Sequence, residues 1–115
     1  MALRIKITEA AFTAQVLAMA RLHGWRSAHF RPARTKTGWR TAVAGDGVGF
    51  PDLLLVRART KQMLVAELKV PPNRTTPEQD RWLAEFEVTG VAAYTWTPAD
   101  WNEIARVLEQ GPELR

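Results

Sequence analysis

Three charged residues lie in or beside strongly apolar stretches of the sequence. Asp52 directly precedes the apolar run 53–56, and Glu67 and Lys69 lie two residues apart within the next run, 63–70. Side chains alternate along a β-strand, so Glu67 and Lys69 are predicted to point to the same face of a sheet. A charge inside an apolar strand is costly unless the charge has a task. If the two runs pair as a hairpin, both acids and the lysine share one site.

Two carboxylates on adjacent strands suit a hard divalent cation such as Mg²⁺ or Mn²⁺, because these ions prefer oxygen ligands. Such an ion lowers the pKa of a bound water and neutralises charge on an attacked phosphate. Lys69 would orient that water and stabilise the developing negative charge. Asp52, Glu67 and Lys69 therefore match the chemistry of phosphodiester hydrolysis. The alternative is a surface ion pair across a hairpin, which would give the same Glu-x-Lys pattern.

The composition narrows the class of protein. The 115 residues, 46% of them hydrophobic, are typical of one compact domain, predicted to span residues 1–115. The net charge of +4 favours an anionic partner such as a phosphate backbone, although a solvated basic surface gives the same excess. The absence of cysteine excludes disulfides and thiolate metal sites. No apolar run is long enough for a signal region or a membrane span, so we expect a cytoplasmic protein with no membrane partner. We also expect no small-molecule cofactor.

The spacing of apolar residues predicts the order of helices and strands. Helices are predicted between Thr8 and Gly24, between Thr76 and Gly90, and between Thr97 and Gly111, since each segment starts at a capping threonine and ends at a glycine. Strands are predicted at 25–30, 53–56, 63–70 and 92–96. Residues 31–49, rich in charge and turn formers, are predicted to be a loop. The fold class is therefore α/β, with an α-β-β-β-α-β core, a mixed central sheet flanked by helices, and a C-terminal helix.

Taken together, these pieces resemble the PD-(D/E)XK nuclease superfamily. In detail the chain is similar to the VRR-NUC branch, especially its compact stand-alone versions found in phage and bacteria. The matching segments are, in chain order, Thr8-Glu9, Gly24-Trp25, 49–52 (Gly-Phe-Pro-Asp), 67–69 (Glu-Leu-Lys), 76–79 (Thr-Pro-Glu-Gln), Trp82-Leu83 and 96–101. They span most of the chain.

The resemblance implies a restriction-endonuclease-like fold and a nuclease that depends on Mg²⁺ or Mn²⁺. By this resemblance Asp52 and Glu67 bind the metal and Lys69 assists the nucleophilic water. It also implies that Glu9, from the first helix, completes the site and that the carbonyl of Leu68 is a further ligand.

Two of the candidate site residues have a second interpretation. Glu9 lies in the first helical turn, where the helix dipole favours a carboxylate without any function. Its spacing from Phe12, three residues on, nevertheless places it on the apolar stripe and predicts that it faces inward. Gln79 occupies the third position of a capping box, which explains it structurally. In related nucleases a glutamine on this helix can reach the active site, so Gln79 is also a candidate catalytic residue.

Basic residues outside these motifs are candidates for binding DNA. His29 and Arg31 are predicted to share one face of the first strand and to reach a phosphate-binding cleft, although His29 is equally consistent with an ordinary half-buried histidine. The long loop offers Arg34, Lys36 and Arg40. Such a loop grips a backbone, or is basic only because it is solvated. The segment 70–74 departs from the glycine-rich or more basic loop expected in the family, and leaves Arg74 as the candidate beside Lys69.

We therefore expect a structure-selective DNA endonuclease that acts on branched, flapped or Holliday junction DNA during replication, repair or recombination. A homodimer is expected by analogy, because a junction has two strands to cut and a chain of this size has one site. The alternative is a noncatalytic DNA-binding module, or a subunit of a repair complex, that keeps the nuclease fold. The presence of Asp52, Glu67 and Lys69 together favours the enzyme.

Overall fold

The computed structural model describes residues 6–30, 33–35, 38–40 and 45–113, and of 33–35 and 38–40 it describes the backbone alone. These residues form three α-helices: α1 (Glu9–Leu22), α2 (Pro77–Val88) and α3 (Trp101–Gln110). They also form six strands: β1 (Arg26–His29), β2 (Ala33–Thr35), β3 (Gly38–Arg40), β4 (Leu53–Arg57), β5 (Gln62–Leu68) and β6 (Ala92–Trp96). Short 3₁₀ turns at Ala58–Thr60 and Pro98–Asp100 link β4 to β5 and precede α3.

The main sheet has four strands in the order β1-β4-β5-β6. β4 pairs antiparallel with both β1 and β5, whereas β6 pairs parallel with β5 after the crossover through α2. This mixed sheet, with helices on both faces and α3 at the end of the described chain, confirms the α/β architecture expected from the sequence.

The prediction of a continuous loop over 31–49 is wrong, because β2 and β3 form a separate two-stranded antiparallel sheet. Each of these strands has three residues, which is too short to show the alternation of apolar and polar residues that marks a strand. This sheet is formed by backbone pairing, which has little signal in the sequence.

The first two helices begin where the sequence predicts, whereas α3 begins at Trp101, after the 3₁₀ turn Pro98–Asp100 that follows Thr97. The Thr8 hydroxyl accepts a hydrogen bond from the amide of Ala11 at 3.0 Å and caps α1. Thr76 and Gln79 form a reciprocal capping box at the start of α2. β5 ends at Leu68, two residues earlier than predicted, but the amide of Lys69 still donates to the carbonyl of Trp96 at 2.9 Å. Within the described residues, no helix is long and apolar enough to cross a membrane.

The sheet separates two different environments. The α1 face, packed by α1 and α3, carries the hydrophobic core, to which the sheet contributes Leu53, Leu55, Leu64, Ala66, Leu68 and Trp96. Leu53 pairs with Ala66 and Leu55 pairs with Leu64, so these side chains point to the same side. The intervening residues, among them Val65 and Glu67, therefore point to the α2 face, against which α2 packs.

A buried arginine joins α1, β4 and α3 at the end of the sheet where β4 finishes. Arg57 is 3% exposed, and its guanidinium lies over the ring of Trp25, 4.6 Å from the centroid. Its hydrogen-bond acceptors are the carbonyl oxygens of His23, Leu108 and Glu109 (3.1, 3.1 and 3.2 Å), the Thr60 hydroxyl (2.9 Å) and the Gln62 amide oxygen (2.9 Å). We call this group the arginine hub. It ties the ends of α1 and α3 to the sheet.

Candidate active site

Glu67 is the most deeply buried acid among the described residues, with 1% of its surface exposed. Its Oε1 accepts a hydrogen bond from Nε2 of Gln79 at 2.9 Å and lies 3.7 Å from Nζ of Lys69. Its Oε2 is buried and has no hydrogen-bond partner. A buried carboxylate oxygen without a partner is costly, and a site for a cation is one reason to retain it.

Asp52 enters the site from the neighbouring strand. The pairing of Leu53 with Ala66 places Asp52 opposite Glu67, on the α2 face. Its Oδ2 accepts a hydrogen bond from the amide of Leu68 at 2.9 Å. This bond joins the chain before β4 to the last residue of β5. The two carboxyl groups therefore come from adjacent strands, as the sequence predicts.

The electrostatics of the pair are those of two acids that share one site. Burial raises the pKa of Glu67 to about 8, and the negative charge of Asp52 and its side-chain interaction with Glu67 act in the same direction, whereas the backbone of Asp52 acts against them. The ammonium group of Lys69 acts in the opposite direction and does not outweigh them. Without a further cation, Glu67 is therefore neutral at moderate pH. A divalent ion between the two carboxyl groups would favour their charged forms.

Gln79 serves α2 and the site at the same time. Its Oε1 accepts a hydrogen bond from the backbone amide of Thr76 at 2.9 Å, while its Nε2 donates to Glu67. The two interpretations of this residue are thus compatible, because the two ends of one amide make the two contacts. The Thr76 cap fixes the amide, and the amide in turn holds one oxygen of Glu67.

The loop before Asp52 is fastened to α2 by a close backbone contact. Gly49 has φ of 84°, in the left-handed region, and a Cβ at this position would lie 2.6 Å from the carbonyl carbon of Glu78. Only glycine allows both the conformation and the approach. The loop thereby delivers Asp52 to the start of β4 in a defined position.

An aromatic cluster, which the sequence analysis did not identify, packs beside the same loop. It consists of Phe30, Phe50, Trp82 and Phe86. Phe50 is its centre, with ring centroids 5.2 Å from Phe30, 5.2 Å from Trp82 and 5.8 Å from Phe86. Phe50 belongs to the Gly-Phe-Pro-Asp segment and Trp82 to the Trp-Leu segment noted above. Those two segments are the signal by which the contact could have been found.

The sequence profile of the VRR-NUC domain family matches residues 19–97. The chain belongs to the VRR-NUC domain family. The matched range contains Asp52, Glu67, Lys69 and Gln79, and membership in this nuclease family supports a DNA nuclease. The match ends at Trp96-Thr97, so α3 and most of α1 lie outside it.

A curated relative supports the same assignment over a shorter stretch. The Fanconi-associated nuclease 1 homolog of Caenorhabditis elegans is 44% identical to the chain over 45 residues, which are 39% of this chain. The aligned segment covers 5% of that relative's length, so the likeness concerns only this part of the larger protein. Comparison with solved structures gives no significant match.

Glu9 does not join the carboxylates of the VRR-NUC site. It is the first residue of α1 and its side chain is exposed, contrary to the inward orientation expected from its spacing. Side chains of a helix tilt toward its N-terminus. The side chain of Glu9, the first residue of α1, therefore extends beyond the part of the core that Phe12 and Val16 cover. Among the described residues, no three His, Asp or Glu side chains are grouped so that they could hold a metal ion.

His29 lies on the other side of the sheet. It pairs with Leu53, whose side chain belongs to the core, so its side chain is on the α1 face rather than on the α2 face with Glu67. His29 is therefore on the opposite face from Glu67, and its predicted contact with a phosphate stays a prediction. A shift of one residue in the register of β1 would have placed it on the α2 face, and the sequence does not specify this register.

The remaining DNA-binding candidates stay predictions. Arg31 and Lys36 lie outside the described residues, and so do the side chains of Arg34 and Arg40, whose backbones belong to β2 and β3. Arg74 is exposed in the segment between β5 and α2, and no ion pair within the described part of the chain includes it. That position leaves Arg74 accessible to a phosphate.

Proposed function

We propose that this VRR-NUC domain is a divalent-metal-dependent endonuclease that hydrolyses phosphodiester bonds of DNA, with Asp52, Glu67 and Lys69 at its centre. The observation that carries the proposal is the buried, partnerless Oε2 of Glu67 beside a second carboxyl group. A purely structural carboxylate at this depth would be expected to use both of its oxygens. Family membership supports the reaction class, and the geometry supports these residues as its centre.

The donor set fits a hard cation. Asp52 and Glu67 provide carboxylate oxygens, and the carbonyl of Leu68 is the third candidate ligand. In an extended strand the N–H and C=O of one residue point to the same side, so the carbonyl of Leu68 is on the side on which its amide meets Asp52. These oxygens suit Mg²⁺ or Mn²⁺, which when bound would act as a Lewis acid toward the phosphate and lower the pKa of a water.

The side chains of the chain itself supply orientation and charge. Hydrolysis forms a bond between a water oxygen and phosphorus and breaks the bond from phosphorus to the leaving sugar oxygen, which takes up a proton. The ammonium group of Lys69, 3.7 Å from Glu67, lies where it can orient the water and stabilise the negative charge that develops on the phosphate. Gln79 keeps Oε1 of Glu67 in place, so that Oε2 is the oxygen left for a ligand.

We extend the proposal to branched, flapped or junction DNA in repair or recombination, and to a homodimer that presents two sites to a junction. The C. elegans relative is named a Fanconi-associated nuclease, which supports nuclease activity for this chain. Sedimentation equilibrium of the protein, alone and with a four-way junction, tests the dimer. A single species of 13.0 kDa at all concentrations would contradict it.

The activity is tested with labelled duplex, flap, splayed-arm and four-way-junction DNA in the presence of Mg²⁺, Mn²⁺, Ca²⁺ or EDTA. We expect cleavage with Mg²⁺ or Mn²⁺, none with EDTA, and binding without appreciable turnover with Ca²⁺. Asp52→Asn should abolish cleavage, and Arg81→Ala, an exposed substitution on α2, serves as the matched control. Cleavage in excess EDTA would contradict metal dependence. Binding without cleavage under every condition would favour the noncatalytic alternative.

A further inference from the structure

The aromatic cluster ends, beside the candidate site, in a ring that packing alone does not explain. Phe30 is 37% exposed, whereas the other three rings of the cluster are each partly buried in the contact with α2. Exposed apolar side chains are common singly, but a ring packed on one side and open on the other, next to a reaction site, presents a surface to a ligand.

The backbone places Phe30 next to the catalytic carboxylates. The amide of Phe30 donates to the carbonyl of Asp52 at 2.8 Å, so the two residues are neighbours across adjacent strands. The ring of Phe30 meets Phe50, which in turn packs on Trp82 and Phe86 of α2. Phe30 therefore lies on the α2 face, together with Asp52 and Glu67. A DNA strand whose phosphate is bound through a metal ion at these carboxylates would pass close to the ring, because Phe30 and Asp52 are adjacent across the two strands.

The ring is held firmly before any ligand arrives. Phe30 and Phe50 meet edge to face, with an interplanar angle of 80°. Trp82, on the far side of Phe50, donates its indole N–H to the carbonyls of Asp46 and Val48, both at 3.1 Å. A preorganised aromatic surface loses little conformational entropy on binding. Phe30 offers no hydrogen-bonding group, so a π-face is the ligand feature that it can recognise.

We infer that Phe30 stacks on an unpaired nucleobase next to the scissile phosphate and so selects DNA that contains unpaired nucleotides at the cleavage site. This inference rests on the proposed function. Inside a duplex, both faces of a base are covered by its neighbours, and exposing one costs unstacking energy. At a flap or branch that cost is already absent, and stacking on an aromatic side chain favours binding with little dependence on base identity. Phe30 is thus a specificity-determining residue rather than a catalytic one.

Binding is tested first, in a Lys69→Ala background that is expected to bind DNA without cutting it. A flap carrying 5-iodouracil at the unpaired position beside the junction should form a photocross-link to Phe30, which peptide mapping by mass spectrometry locates. Phe30→Leu should lower the affinity for this flap about ten-fold and change the affinity for the matching duplex less than two-fold. Phe30→Trp should keep the selectivity, because it retains a π-face. A cross-link that maps elsewhere, with equal effects on both DNAs, would overturn the inference.

Cleavage is tested next in the otherwise unsubstituted chain, on a flap and a duplex with the same sequence at the scissile bond. Phe30→Leu should lower kcat/KM for the flap about ten-fold and leave the value for the duplex nearly unchanged. Leu22→Ala, at a 76% exposed apolar position on the last turn of α1, should change neither. If the parent cuts both DNAs and Phe30→Leu slows both equally, the stacking inference is wrong while the proposed function stands. If the parent cuts neither, the proposed function is wrong, and an absent cross-link also overturns the stacking inference.

Discussion

Two buried charges, at opposite ends of the sheet, are accommodated in opposite ways. Arg57 lies at the end of β4, and each of its three guanidinium nitrogens donates a hydrogen bond to a defined acceptor. Glu67 lies near the other end of the hairpin, where one of its carboxyl oxygens has no partner and a second acid faces it. Both are more than nine-tenths buried. Every nitrogen of the buried cation has a hydrogen-bond acceptor, although burial still lowers the pKa of Arg57, whereas one oxygen of the buried acid has no donor.

The two buried charges therefore have different roles, one in the stability of the fold and the other in the proposed reaction. In the arginine hub three of the acceptors are carbonyl oxygens at the ends of α1 and α3, the negative ends of the helix dipoles, so burial of the cation is compensated in part without any carboxylate. At the carboxyl pair, Gln79 and Lys69 reach only Oε1 of Glu67, and the raised pKa of Glu67 shows that they do not offset burial and the charge of Asp52. The comparison predicts that substitutions in the hub weaken the fold, and that substitutions at the carboxyl pair weaken the reaction but not the fold.

The largest effect on stability is expected from Arg57→Met. The substitution fills similar volume but removes the side-chain donor to the carbonyl oxygens of His23 and Glu109, and leaves the Leu108 carbonyl with only the indole N–H of Trp25. It should lower the free energy of unfolding by about 3 to 5 kcal/mol. Urea denaturation followed by circular dichroism measures this loss. The exposed neighbouring substitution Arg59→Met should leave the unfolding free energy nearly unchanged. Equal effects of the two substitutions would show that the hub is not a stabilising element.

Lys69→Ala should have the opposite effect to Arg57→Met, with a large loss of turnover and little loss of stability. Removal of the ammonium group takes away the charge that orients the water and stabilises the transition state, so turnover should fall about 100-fold or more, roughly 3 kcal/mol of activation free energy. DNA binding and the unfolding free energy should change little. Single-turnover cleavage together with a binding titration separates these quantities, with Arg81→Ala as the control. Turnover at the parent rate in a folded Lys69→Ala protein would mean that Lys69 has no catalytic role.

The pH dependence of stability gives a smaller effect with a defined sign. The pKa of Glu67 is raised from 4.5 to about 8 in the folded state, so the folded protein binds the proton more tightly than the unfolded chain does. The resulting stability is fully present below pH 4.5 and is lost as the pH rises to 8. In EDTA, Glu67→Gln, which stays neutral, should remove this decline and be more stable than the parent at pH 8 by at least about 1.4 kcal/mol, the value of one pKa unit.

Urea titrations at pH 5, 6.5 and 8 measure this difference. Addition of Mg²⁺ should restore stability to the parent at pH 8 and have little effect on Glu67→Gln, because the variant lacks the second ionised ligand. A parent protein whose stability does not change between pH 5 and pH 8 in EDTA would show that Glu67 is ionised without help from a cation.

The carboxyl pair could be predicted from the sequence, whereas the arginine hub, the face of His29 and the contact of Phe30 could not. Asp52, Glu67 and Lys69 are brought together by local rules, namely the alternation along a strand and the pairing of two consecutive strands. Arg57 is held by carbonyl oxygens 34 to 52 residues away, and any residue type can provide a carbonyl. The face of His29 depends on a register that no motif marks. The contact of Phe30 with Phe50 likewise joins separate segments and has no periodic signal.

The smallest effects are expected from variants that distinguish the two contacts of Gln79, one to the Thr76 amide and one to Glu67. Gln79→Ala removes both the cap contact to the amide of Thr76 and the hydrogen bond to Glu67, whereas Thr76→Ala removes the hydroxyl that accepts from the amide of Gln79 and leaves the contact to Glu67 possible. Loss of a threonine cap costs about 1 kcal/mol, so both variants should be destabilised by a similar amount in urea.

Activity should distinguish the two variants, because only Gln79→Ala frees Oε1 of Glu67. Without the Gln79 hydrogen bond, only Lys69 and the strand restrain the Glu67 carboxyl group, so we expect a higher Mg²⁺ concentration for half-maximal cleavage. Turnover should fall about ten-fold, or about 1.4 kcal/mol, close to the lower end of the range for a hydrogen bond to a charged group. Thr76→Ala should keep the Mg²⁺ requirement of the parent. If both variants show the same Mg²⁺ requirement, Gln79 acts only through the helix cap, and Glu67 is positioned by Lys69 and the strand alone.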